Sequence, residues 1–148
     1  MYILGINAYH GDSSACLLKD GIVVCAIEEE RIRRVKHWAG FPSESIKFCL
    51  EDAGISILEV DYVTISRDPR ANLYKKIKHF IRYSSSIYRV WQRLVNFQKV
   101  RSVKDELSDL FQLPSSSIQA EFYNIEHHRS HIASSFFASS FKESAILS

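Results

Sequence analysis

The residues best suited to chemistry stand together at Glu126-His127-His128-Arg129-Ser130-His131. On a helix, His127 and His131 are four positions apart, stacked on one face, and both imidazoles can reach a single ion. Neutral imidazole suits Zn²⁺ or Fe²⁺. Two ligands are not a site, so at least one more, such as a carboxylate, must come from elsewhere. The plainer account is that three histidines at a strand-to-helix junction only cap and solvate it. The pattern's place just after a short strand sets the metal reading beside that account.

A second group is Asn7-Ala8-Tyr9-His10-Gly11-Asp12-Ser13-Ser14-Ala15, the turn between the first two strands. Gly11 lets the backbone approach a ligand, and Ser13, Ser14 and the local amides can bind phosphate oxygens. His10 can act as a general base or anchor an anion, and Asp12 can hold a hydroxyl or a cation-bound water. Spacing alone favours a hairpin turn built from good turn formers. A third group is Glu28-Glu29-Glu30-Arg31-Ile32-Arg33-Arg34-Val35-Lys36-His37, followed by Phe41-Pro42. A pocket here would offer Arg34 and Lys36 to phosphate or carboxylate groups. Without context, an ion-paired surface is the simpler reading.

The elements that must position these groups follow from patterning. Tyr2 to Ala8, Ser13 to Lys19 and Ile22 to Glu29 read as three strands, the last two joined by Asp20-Gly21, a tight hairpin signal. Pro42 and Ser43 open a helix, with Ser43 as N-cap. Ile46, Cys49, Leu50 and Ala53 form its apolar stripe and Gly54 ends it. Tyr62 to Ser66 is a short buried strand. Residues 72 to 111 read as mainly helical, interrupted near Ser84-Ser85-Ser86. After a break at Leu113-Pro114, Ala120 to Ile125 reads as a strand, His127 to Phe137 as a helix, and Ser144 to Ser148 as the start of another strand. A domain that stopped there would leave an apolar edge unpaired, so the expectation is an N-terminal piece of a longer protein.

The chain has 148 residues, 46% hydrophobic and 24% charged, enough for one domain with a core. Nine Phe, seven Tyr and two Trp exclude a disordered tail. The run Ile22 to Ile27 is far short of a membrane span, and no basic segment followed by an apolar run opens the chain, so a secretory signal is not expected. Cys16, Cys25 and Cys49 are odd in number with no close pair, which fits a reducing compartment and a cytoplasmic location. Between Arg67 and Lys104 stand eleven basic residues and one acidic residue, Asp68; the remainder carries eight basic and sixteen acidic residues. So lopsided a block faces an anionic partner, a complementary acidic surface, or simply solvent.

Taken in order, GINAYHGDSSACLLKDG (5 to 21), EEERIRRVKHWAGFP (28 to 42) and EHHRSHIASSFFASSF (126 to 141) resemble the N-terminal half of the carbamoyltransferases of the nodulation-protein and antibiotic-tailoring type. The resemblance covers essentially the whole chain. It implies an α/β fold, a ribonuclease-H-like lobe of the superfamily of actin, sugar kinases and heat-shock chaperones. The lobe would have a β-β-β-α-β start and a basic helical insertion at about 70–112, and would be incomplete without its second lobe and C-terminal domain.

It also implies that carbamoyl phosphate and ATP, with Mg as the nucleotide's partner, give a carbamoyl-adenylate. The carbamoyl group then passes to a hydroxyl of a small-molecule or glycan acceptor. By resemblance His127 and His131 bind iron or zinc, His10 and Lys36 are catalytic, and Asp12, Ser13, Arg34 and His128 bind substrate or nucleotide. A chain of this extent alone is expected to be inactive. No membrane or nucleic-acid partner is expected, and a homodimer is left open. Two other readings stand beside this one. One is a threonylcarbamoyl transferase acting on tRNA, its basic block on the phosphate backbone. The other is a truncated, non-catalytic binding subunit.

Overall fold

The computed structural model describes residues 1–9, 11–67, 102–137 and 139–145. His10, the helical insertion and basic block through residue 101, and the end of the expected last strand lie outside the described residues. Ser144 and Ala145 are irregular and exposed.

Among the described residues five strands form one mixed sheet in the order β3-β2-β1-β4-β5. They are β1 (Tyr2–Asn7), β2 (Ser14–Lys19), β3 (Ile22–Glu28), β4 (Tyr62–Ile65) and β5 (Glu121–Asn124). The first three make an antiparallel meander. Asp20 and Gly21 have φ of 50° and 83°, the pair of positive values that a tight type I′ hairpin needs. On its other side β1 pairs parallel with β4, and β4 parallel with β5. The first five expected strands are present, each one or two residues shorter than its expected span; the expected sixth does not start at Ser144 or Ala145. Parallel strands require crossovers; the one from β1 to β4 carries the rest of the meander and two α-helices, and the described part of the one from β4 to β5 carries the helix Val103–Phe111.

Alternation along the strands sends Leu4 and Ile6, Ala15 and Leu17, Cys25, and Val63 and Ile65 to one face. There they meet Ile46, Cys49 and Leu50 of α2 (Ser43–Ala53) and Leu107 of α3 (Val103–Phe111). Helix α2 ends as expected. Gly54 is left-handed (φ 66°), and the Gly54 and Ile55 amides donate to the Glu51 and Leu50 carbonyls, each at 3.0 Å.

Its start corrects the expectation. Ser43 is the first helical residue, Pro42 holds the N-cap position, and neither side chain caps the helix. Glu29, the first residue of the short helix α1 (Glu29–Arg33), does so from outside. Its carboxylate accepts the Glu44 and Ser45 amides at 3.1 and 2.8 Å and the Ser45 hydroxyl at 2.7 Å. The Ser43 hydroxyl instead accepts from Arg33 Nη2 at 2.7 Å.

Candidate metal and substrate site

Helix α4 (His127–Phe137) starts directly after β5, with the bounds that the sequence pattern predicts. Glu126 precedes it, and its carboxylate accepts the Arg129 amide at 3.0 Å. This bond, with a second from His128, holds the Glu126 carboxyl below its ordinary range and satisfies first-turn donors. With the start pinned, His127 and His131 emerge one turn apart.

Their Nε2 atoms are 3.1 Å apart and their rings are nearly perpendicular, at 87°. Two nitrogens each about 2.0–2.1 Å from one ion stand about 2.9 Å apart at a right angle and about 3.3 Å at the tetrahedral angle. The observed spacing falls between those values, so the donor set fits one ion with little rearrangement. It equally suits a hydrogen bond from one imidazole N–H to the other's lone pair. Among the described residues no group of three or more His, Cys, Asp or Glu converges on one point, so here the described chain offers an ion two nitrogens and no third such ligand.

The pair opens onto a cleft of about 940 Å³. The cleft lies beyond the carboxyl ends of β1 and β4, where α/β sheets bind ligands. Asn7 and Ser66 stand at those two ends, and the Ser66 hydroxyl donates to Asn7 Oδ1 at 2.6 Å. Asn7 Nδ2 donates onward to the Asp12 carbonyl at 3.1 Å, tying the first turn to the sheet. Asp12, Glu28 and Arg31 line the cleft as well, with Glu28 and Arg31 paired at 3.5 Å.

Of the sequence candidates, the structure brings together His127, His131 and Asp12 at this cleft. Ser13, Arg34, Lys36 and His128 are not among its lining residues. Ser13 is wholly buried; its hydroxyl donates to the Gly40 carbonyl at 2.8 Å and its amide to the Trp38 carbonyl at 3.0 Å. It fastens the first turn to the charged loop and has no face toward a phosphate. Arg34 is exposed in the left-handed position that ends α1 (φ 59°), and Lys36 is exposed two residues on. His128 is exposed about 100° around α4 from His127 and so leaves the cleft face.

Asp12 meets the charged loop in a second way. His37 Nδ1 lies 2.9 Å from Asp12 Oδ1, with φ of 54° and 64° at the two residues. The hydrogen bond to Asp12 and the charge behind it raise the His37 imidazole above its ordinary range.

The residue that the sequence pattern hides most completely is Glu29. It sits in a run of charges that reads as solvated, yet its side chain is 0% exposed. Burial alone would raise its carboxyl. Arg33 Nε at 2.6 Å, the Ser45 amide and hydroxyl, and the Glu44 amide outweigh burial and hold it below the ordinary range. The Arg33 guanidinium also stacks on Trp38, 4.6 Å from the ring centroid. Glu28 and Arg31 were passed over for the same reason. The usable signal was register: Glu28 pairs with Ser14 and Ser14 with Asn7, which puts Glu28 level with the cleft end of β1.

The carbamoyltransferase N-terminus family matches residues 2–148. The uncharacterized protein sll1178 of Synechocystis sp. is 37% identical over 153 aligned residues, covering 99% of this chain and 25% of that protein. Nodulation protein NolNO of Sinorhizobium fredii is 42% identical over 57 residues, covering 38% of this chain and 8% of its own length. Among solved structures, YeaZ from Pseudomonas aeruginosa superposes with a TM-score of 0.41 at 16% identity, covering 84% of this chain and 42% of that one. The chain belongs to the carbamoyltransferase N-terminus family and spans a quarter of the Synechocystis relative's length. No helix among the described residues is long and apolar enough to cross a membrane.

Proposed function

We propose that this chain forms the metal- and nucleotide-holding lobe of an ATP-dependent O-carbamoyltransferase, built as a ribonuclease-H-like fold. Family membership and the strand order β3-β2-β1-β4-β5, with only β1–β2 and β2–β3 antiparallel, support the reading. The observation that carries it is the His127–His131 pair, its nitrogens 3.1 Å apart at the mouth of a cleft over the strand ends.

In this reading one water splits carbamoyl phosphate into carbamate and phosphate, and a carbamate oxygen then attacks the α-phosphorus of ATP, held with Mg, to give a carbamoyl-adenylate as pyrophosphate leaves. An acceptor hydroxyl then attacks the carbamoyl carbon and AMP departs. A zinc or iron ion held by His127 and His131 would supply Lewis-acid polarisation of a phosphate or carbamoyl oxygen. Asn7 and Ser66 present hydrogen-bonding groups at the strand ends, and Arg31 places a cation on the cleft wall for anionic oxygens. Lys36, on the loop fastened to the first turn by Ser13, and His10 remain assigned to the transfer step. A cleft that excludes water protects an intermediate that hydrolyses readily.

The test is to purify the protein that contains this chain at its natural length, measure bound metal, and follow pyrophosphate release with carbamoyl phosphate, ATP and Mg. Stoichiometric zinc or iron and release dependent on carbamoyl phosphate are expected, and His131→Ala should lose both. A wild type with neither metal nor release overturns the reading.

A further inference from the structure

Stability does not account for the Asp12–His37 pair. The two side chains are 56% and 79% exposed, so solvent screens their attraction. The loops that carry them are already fastened beneath, by the Ser13 hydroxyl and Tyr9 amide on the Gly40 carbonyl and the Ser13 amide on the Trp38 carbonyl. Yet the backbone enters the left-handed region at both residues, and these turns bring Nδ1 within 2.9 Å of Oδ1. Asp12 lines the cleft and His37 does not. One residue therefore faces the cleft while the other holds it from behind.

We propose that His37 is a positioning residue: donating from Nδ1 to Oδ1, it fixes the Asp12 carboxylate at the cleft mouth, where the second carboxylate oxygen receives the hydroxyl of the carbamoyl acceptor. The proposal rests on the carbamoyl-transfer reading and names the side chain that meets the acceptor. A carboxylate repels phosphate and accepts from O–H, so Asp12 suits a hydroxyl and not a phosphate oxygen; the ATP KM, followed beside the acceptor KM, separates an acceptor hydroxyl from the ribose of the nucleotide. The other described carboxylate lining the cleft, Glu28, is engaged by Arg31 at 3.5 Å. His37 is itself held from a second side: its backbone amide donates to Glu30 Oε2 of α1 at 3.3 Å. Asp12 and Glu30 are thus the acidic groups facing it, with Arg34 and Lys36 the cations of its own loop. The raised titration of His37 accords with that setting.

Two measurements on the natural-length protein decide the matter. The first is the titration midpoint of His37 by NMR, in wild type and Asp12→Asn. The midpoint should fall in the variant, and identical midpoints overturn the pairing whether or not the protein transfers carbamoyl groups. The second is steady-state kinetics of His37→Ala and His37→Asn with metal content and melting temperature followed in parallel. His37→Ala should raise the acceptor KM about tenfold with the ATP KM unchanged, and the asparagine amide, which can donate to Asp12, should recover most of it. Wild-type acceptor KM in His37→Ala, or equal losses in acceptor and ATP KM, overturns the positioning role. A wild type with no transfer sinks the functional reading and this role with it, leaving the titration to report the pair alone.

Discussion

Arg33 donates through Nε at 2.6 Å to a Glu29 carboxylate that solvent does not reach. The same carboxylate caps α2 by accepting the Glu44 and Ser45 amides. One buried side chain therefore joins the helix that follows β3 to the helix that covers the sheet. Glu29→Ala strips both a charge partner and a helix cap. It should cost about 2–4 kcal/mol, read as a lower urea midpoint at neutral pH.

The same carboxylate gives stability a pH dependence. Its folded-state pKa is depressed, so its contribution is complete above the unfolded value of about 4.3 and is lost as pH falls through the lower folded value. Wild type should therefore weaken through that acidic window. Glu29→Gln, which cannot titrate, should show a shallower decline when urea midpoints are compared between neutral and acidic buffers.

Gly5 on β1 faces Cys16 on β2, and a Cβ built at Gly5 would stand 2.7 Å from the Cys16 sulfur. Gly5→Ala should destabilise by about 1–2 kcal/mol through overpacking. Cys16→Ala removes the obstructing atom, so the double variant should regain most of that loss. Additive effects in the thermodynamic cycle would show that the two sites do not touch.

Ser13→Ala leaves the Gly40 carbonyl without its buried hydroxyl donor. The expected cost is about 1–2 kcal/mol. Faster hydrogen exchange is expected at the Ser13 amide, which donates to Trp38 across the same seam. Unchanged exchange would mean that the backbone bonds alone hold the two loops.

His128 lies between the two histidines of the pair in sequence but leaves the cleft face. His128→Ala should retain the wild-type metal content. His127→Ala or His131→Ala should weaken metal affinity by about 100-fold or more, measured by competition with a chromogenic chelator.

These residues also mark what sequence patterns reveal. The meander was legible because its turn is Asp20-Gly21 and its strands are rich in β-branched and apolar residues. Helix α4 was legible to the residue because strand, Glu126 and histidines follow one another locally. Glu29 was not, since its partners Glu44 and Ser45 lie 15 and 16 positions away and a charge run carries no sign of burial. Ser43 was misread as a cap for the same reason: a preferred residue at the right place was displaced by a distant carboxylate. Ser13 was assigned to phosphate by type, whereas its burial comes from Gly40, 27 residues on.

The position of β1 bears on how the chain acquires its shape. To one side, Asn7 meets Ser14 and Tyr2 meets Lys19, contacts within a short length of chain. To the other, Ile3 meets Tyr62, and Tyr62 in turn meets Glu121, each across 59 positions. Closing such long loops costs entropy before any contact repays it. The meander is therefore expected to assemble first, with β4 and β5 added to its edge. Substitutions in β2 should slow folding, while those in β5 should mainly hasten unfolding. On that order the cleft, which needs the ends of both β1 and β4, is completed only once β4 has joined the meander.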